Sequence, residues 1–220
     1  MRELPGLAVI LVLLTTGCAT FLAAGHVQSG RRALLANQPE TALGYFQQAA
    51  ETDPNYIYSS ARFPEGVWTY VGRAQYALGK YSEARRSFER ALTVYKDDPM
   101  AQLYLGLAMV KSGDLKQGFA QLQRGLKSVS EWIDYLNYSK PSYAYWDPRG
   151  EIRGEIEKTL AMIGDEKVES AKDIIASAEW VGQEVEEEID RVRRDERRQD
   201  ERDRRHDFRR GFSFGARFEH

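Results

Sequence analysis

Apolar residues fall into three regimes along this chain. From Leu4 to Leu14 they run nearly unbroken over eleven positions, interrupted only by Pro5 and Gly6. From about residue 30 to Val192 they recur at spacings of three and four, the period of one helix face. Beyond Val192 they stop, while charge continues to His206. No strand-like alternation appears at length before the last dozen residues, so the pattern predicts an all-α protein.

Within the middle regime one unit recurs. Ala42, Phe46 and Ala49, then Ala84, Phe88 and Ala91, then Gly118, Leu122 and Gly125 each place a small residue, a large one four later and a small one three after that on one face. Each triad follows a helix opened by glycine, at Gly30, Gly72 and Gly106. Glycine at both small positions of the third triad lowers helix propensity there.

This arrangement resembles the tetratricopeptide repeat, a helix pair whose small residues mark where two helices touch. Ala84 to Gly118 spans 34 positions, the repeat length of that family. Ala42 to Ala84 spans 42, which puts an insertion in segment 55–66. The resemblance covers roughly residues 23–127. It implies a solenoid of about three helix pairs, with Phe46, Trp68, Tyr81, Phe88 and Leu122 in packing positions. The first helix of each pair would line the concave, partner-binding face, with Val27, Arg31 and Leu34, then Thr69, Arg73 and Tyr76, then Leu103, Leu107 and Lys111. Arg31 and Arg73 occupy equivalent places, so two guanidiniums would stand side by side. They suit a carboxylate or phosphate bound bidentately, or an acid of the domain itself. Gln28, Tyr70 and Tyr104 stand where family members that clamp C-terminal carboxylates carry asparagine, so that activity is not expected.

The N-terminal apolar run is too short to span a bilayer, which needs about 20 residues, but suits the core of a signal peptide. It ends in Thr15-Thr16-Gly17-Cys18, which resembles the bacterial lipobox, although Thr15 stands where leucine is usual. The resemblance implies a signal peptide over 1–17 and acylation of Cys18, the only cysteine in the chain. Ala19 is not the aspartate that retains enterobacterial lipoproteins in the inner membrane, so an outer-membrane lipoprotein facing the periplasm is expected.

After the repeats of residues 18–127, segment 128–164 reads as a cap helix around Trp132 and Leu136, a two-proline aromatic linker and a short helix carrying Ile152, Ile156, Leu160 and Ile163. Residues 165–207 read as one long charged helix, docked along Ile174, Ala178, Val181, Val185, Ile189 and Val192 and free beyond. Residues 208–220 read as a flexible aromatic tail, able if extended to add to a partner's sheet edge. Glu186, Glu187 and Glu188 read as a solvated face. A formal net charge of −2, and acids intermixed with arginines in the tail, exclude a nucleic-acid arm.

Candidate chemistry is sparse. Gly211-Phe-Ser213-Phe-Gly215 has the spacing of a hydrolase elbow, but no strand–helix context surrounds it. The three histidines are too scattered for a metal site, so neither enzyme activity nor a cofactor is expected. Two aromatic segments stand outside the repeat pattern, one with Tyr56, Tyr58 and Phe63, the other with Tyr143, Tyr145 and Trp146. They read either as partner anchors or as packing on each other. The reading that unites these features is a lipid-anchored periplasmic scaffold binding envelope proteins, with no nucleic acid. The alternatives are an envelope ligand-binding protein or enzyme with a site near Trp146, and a homo-oligomer joined through the C-terminal helix.

Overall fold

The computed structural model describes residues 5–139, 145–164 and 171–215, with side chains between 19 and 205 in those spans. Among them are eight helices and one small sheet: α1 Pro5–Leu35, α2 Pro39–Thr52, β1 Ile57–Ser60, β2 Phe63–Gly66, α3 Val67–Ala77, α4 Tyr81–Val94, α5 Pro99–Lys111, α6 Leu115–Ser139, α7 Glu151–Gly164 and α8 Ala171–Gly215. Helices α1 and α2, α3 and α4, and α5 and α6 are the three pairs. The cap helix expected after residue 127 is simply the second half of α6. Cys18 lies within α1, which is one uninterrupted helix across the expected signal-peptide boundary. No described helix is long and apolar enough to cross a membrane.

The pairs are sealed by one contact repeated three times. A Cβ on Gly30 would stand 2.4 Å from the Phe46 ring, one on Gly72 2.5 Å from the Phe88 ring, and one on Gly106 2.4 Å from the Leu122 backbone nitrogen. Only glycine lets the helices approach so closely. In the third pair the closeness extends further, because a Cβ on Gly125 would lie 2.4 Å from Leu103 Cα. A Cβ on Gly118 would likewise stand 2.8 Å from the Val110 backbone nitrogen, so close packing explains both glycines of the third triad.

Each first helix also ends alike, in a residue with left-handed backbone: Asn37 at φ 56°, Gly79 at 73° and Gly113 at 94°. The next amide reaches back five residues, from Gln38 to Ala33, Lys80 to Gln75 and Asp114 to Met109, at 2.9–3.0 Å. This is the Schellman closure, with asparagine taking glycine's place in the first unit. Pro39 and Pro99 then open α2 and α5 at a position where a missing N–H is harmless.

The insertion between the first two pairs departs from the all-helical expectation. It folds as an antiparallel hairpin with Ser60 opposite Phe63 and Ile57 opposite Gly66. Its two-residue turn puts Ala61 and Arg62 at φ 50° and 62°, a conformation usually given to asparagine and glycine. Helix α8 then lies across the first helices, burying Ile174, Ala178, Val181, Val185, Ile189 and Val192. From residue 193 to 205 it carries no buried side chain. The helix continues to Gly215, so residues 208–215 form no extended tail, and the hydrolase-like spacing lies along a helix rather than at an elbow.

Candidate functional site

Helix α8 lies against part of the face expected to be concave, contacting α1 at Arg31, α3 at Arg73 and Tyr76, and α5 at Lys111 and Tyr104. Leu103, Leu107 and Tyr76 share the core that holds the α8 stripe, whereas Val27 and the half-buried Leu34 pack with α2 and α3, and Thr69 is buried on Asp98. Lys111 pairs with Glu179 of α8 at 3.0 Å, and Tyr76 donates a hydrogen bond to the same carboxylate at 2.5 Å. On α8, Gly182 admits the phenol of Tyr104, whose oxygen would stand 2.6 Å from a Cβ there.

At the centre, Arg31 and Arg73 face a single acid between them. Glu186 takes Arg31 on Oε1 and the Arg73 Nη1 donor on Oε2, the latter at 2.7 Å. Arg73 also donates to Glu65 at 3.0 Å, and Tyr70 donates to the other oxygen of Glu65 at 2.8 Å. Arg31 reaches Asp190 at 3.3 Å. The guanidinium carbon of Arg73 stands 5.4 Å from the centre of the Tyr104 ring and 5.8 Å from that of Tyr70. Five elements thus converge on one buried cluster, from α1, the hairpin, α3, α5 and α8.

Its electrostatics follow from burial and sign. Burial alone would lower the pKa of both arginines, but Glu186 foremost raises them above the ordinary arginine value. Burial also opposes ionisation of Glu186, yet Arg73 and Arg31 together hold its carboxyl below the usual carboxylate range. Glu65 differs: burial pushes it up to about 7, against the lowering pull of Arg73. The phenols of Tyr70 and Tyr104 are raised by burial as well.

One sequence expectation is corrected here, and one left open is decided. Glu186 and Glu188 are not a solvated face; only Glu187 is exposed. Glu188 accepts the Asp147 amide at 2.5 Å and pairs with Arg191, pinning the aromatic linker to α8. Of the two readings of the aromatic segments, packing on each other is the one that Phe63 and Trp146 follow, stacked at 5.4 Å, while Tyr58 is buried edge-on against Tyr70 at 6.2 Å. Trp146, 1% exposed, is also held by two 2.9 Å hydrogen bonds to the Asn137 side-chain amide. Of the aromatic segments, Tyr145 is exposed and Tyr56 half-buried, while Tyr143 lies outside the described residues.

Two acids of the buried cluster were not expected there from the sequence. Glu65 stands two positions after Phe63, so recognising a strand would have pointed both inward. Glu186 lies four after Gly182 and three before Ile189, on the flank of the apolar stripe.

Residues 72–130 match the family model described as tetratricopeptide repeat. No curated protein matches the chain. Similar solved structures include the type III secretion translocator chaperone SycD of Yersinia enterocolitica, with 18% identity, 66% of this chain and 94% of that chain covered, and a TM-score of 0.47. The TPR domain of Arabidopsis OM64 shows 15% identity over 66% of this chain and 98% of that one, with a TM-score of 0.46. The TPR2B domain of yeast Sti1, in its pHsp70 complex, shows 13% identity over 67% and 99%, with a TM-score of 0.46.

Proposed function

We propose that this chain, a tetratricopeptide-repeat protein, is a lipid-anchored scaffold of the bacterial envelope that brings protein partners together at the periplasmic face of the outer membrane. The observation that carries the reading is the course of α8, which lies against part of the expected concave face and then leaves it as an exposed charged helix. Ile174, Val181, Val185, Ile189 and Val192 are almost wholly buried. At about 2 kcal/mol per aliphatic side chain, their burial favours the docked state by on the order of 10 kcal/mol before chain entropy. A partner helix displacing α8 would have to recover that and the Glu186 ion pairs together. The scaffold therefore works with its groove closed, holding the first half of α8 and presenting the second half as an arm.

The tether rests on sequence: an apolar run of signal-peptide length ending at Cys18. Two or three acyl chains hold a protein stably on a leaflet where one does not. Confinement to that surface raises the effective concentration of the arm toward membrane neighbours. The arm's intermixed arginines and acids suit partners that offer charges in complementary register.

In-cell crosslinking and pull-down of the full chain test this, beside Cys18→Ser and a truncation after Glu196. Cys18→Ser is expected to leave the membrane fraction, and the truncated chain to keep its helical circular dichroism while losing its crosslinked partners. Retention of Cys18→Ser in the membrane to the parent's extent would refute the anchor. An unchanged partner set for the truncated chain would refute the arm.

A further inference from the structure

Where α8 passes the end of α1, the seam between them opens into a cleft of about 300 Å³. Arg31, Arg32, Arg193, Arg194 and Arg197 line it, against the single carboxylate of Asp190. That carboxylate is already shared, lying 3.3 Å from Arg31 and 3.8 Å from Arg193. Arg31 is further engaged by Glu186. Among the described residues Arg32, Arg194 and Arg197 have no ion-pair partner, although Arg32 Nε donates to the Gln28 carbonyl at 3.3 Å. The cleft therefore holds an excess of positive charge between two helices joined by the buried Arg31–Glu186 pair.

Such a concentration of like charge opposes the packing that creates it. Arg193 and Arg197 are four apart on one helix, a spacing at which like charges repel, and Arg32 adds to the repulsion from across the seam. A bound anion reverses the sign of this contribution. Guanidinium forks match phosphate oxygens bidentately, and a recess at the small end of the range for ligand pockets suits a phosphoryl group better than a bulky organic molecule.

We propose that this cleft is a binding site for a phosphoryl anion, and that the bound anion bridges α1 and α8 and fastens α8 in the groove. The site stands on its own geometry, whatever the identity of the scaffold's protein partners. Free pyrophosphate and a phospholipid headgroup offer the same oxygens, and the test separates them.

The full chain, carrying Cys18→Ser throughout so that acylation plays no part, is titrated with pyrophosphate at constant ionic strength while its thermal midpoint is followed. In a second arm it is floated with vesicles of phosphatidylglycerol in phosphatidylcholine, against phosphatidylcholine alone. Arg194→Gln/Arg197→Gln removes two exposed cleft guanidiniums. Arg202→Gln/Arg205→Gln removes the same charge farther along the same helix. The expected result is binding by parent and control, with the cleft variant about tenfold weaker, as the loss of charge-assisted hydrogen bonds predicts. A cleft-dependent response to pyrophosphate alone assigns free phosphate as the ligand, and one to phosphatidylglycerol alone assigns the headgroup. Equal weakening of both variants, or no binding in either arm, overturns the proposal.

Discussion

Arg73 and Glu186, 113 positions apart in the chain, meet at 2.7 Å in the interior of the groove. Both side chains are 4% exposed. A buried ion pair of this kind adds little net stability compared with an apolar pair, but removing one partner strands the other, at about 3–5 kcal/mol. Glu186→Ala leaves both Arg73 and Arg31 without this acid. It should lower the unfolding free energy by that amount in urea denaturation, and Glu186→Gln by less, since the amide oxygen still accepts a hydrogen bond. A loss below about 1 kcal/mol for Glu186→Ala, the size of an exposed pair, would mean that the clamp is solvated.

Glycine substitutions should change sign with position. Gly106→Ala forces a methyl to 2.4 Å from the Leu122 backbone, which neither helix relieves without separating, so a loss of about 1–3 kcal/mol or more is expected. Gly44 in α2 and Gly154 in α7 face open space. There alanine should stabilise by about 0.5–1 kcal/mol through helix propensity. Thermal midpoints of the three variants check both signs at once.

Asp98 caps α5 and also ties it to the hairpin. Its Oδ1 accepts the Ala101 amide at 2.9 Å, and its Oδ2 accepts the Gly66 amide at 2.7 Å and the Thr69 hydroxyl at 2.6 Å. Asp98→Ala should therefore cost more than the ~1 kcal/mol of an ordinary cap, because buried donors lose their acceptor too. Asp98→Asn should also destabilise, since its amide nitrogen replaces one of two accepting oxygens. Denaturant midpoints for the pair decide this; an asparagine variant as stable as the parent would show that one oxygen suffices.

The pH dependence should carry an unusual sign in one window. Burial raises Glu65 from an ordinary 4.5 to about 7, so between those values the folded state holds a proton that the unfolded state has lost. Stability from this group is complete below about pH 4.5 and falls as pH rises toward 7, by up to about 1.4 kcal/mol per pH unit. Glu186, held below its ordinary value, acts oppositely and withdraws stability only at lower pH. Urea midpoints from pH 5 to 7.5 should fall in the parent and flatten in Glu65→Gln. Equal slopes in the two proteins would remove the assignment.

The repeat fold was legible because its contacts are local. Gly72 and Phe88 are 16 positions apart, and the triad spacing places them on facing sides of one helix pair. The stripe from Ile174 to Val192 was legible as a docked face for the same reason, through the helical period alone. The hairpin was not, since Ala61 and Arg62 carry no turn signal and strands of four residues are too short to establish an alternating pattern. Without the hairpin, Glu65 had no reason to point inward. The expected groove positions came from the repeat register, which says nothing of what packs against them.

By itself, the order of residues determined the helices, their pairing, and the equivalence of Arg31 and Arg73, because period, caps and small-residue contacts act over a few turns. Only the tertiary structure decided that Glu186 closes the groove between those arginines, that Trp146 stacks on Phe63, and that Glu188 pins the linker to α8. Those contacts join segments far apart in the chain, and burial changes the sign of what a charge does: a glutamate that looks solvated on one helix becomes a buried counterion once another element covers it.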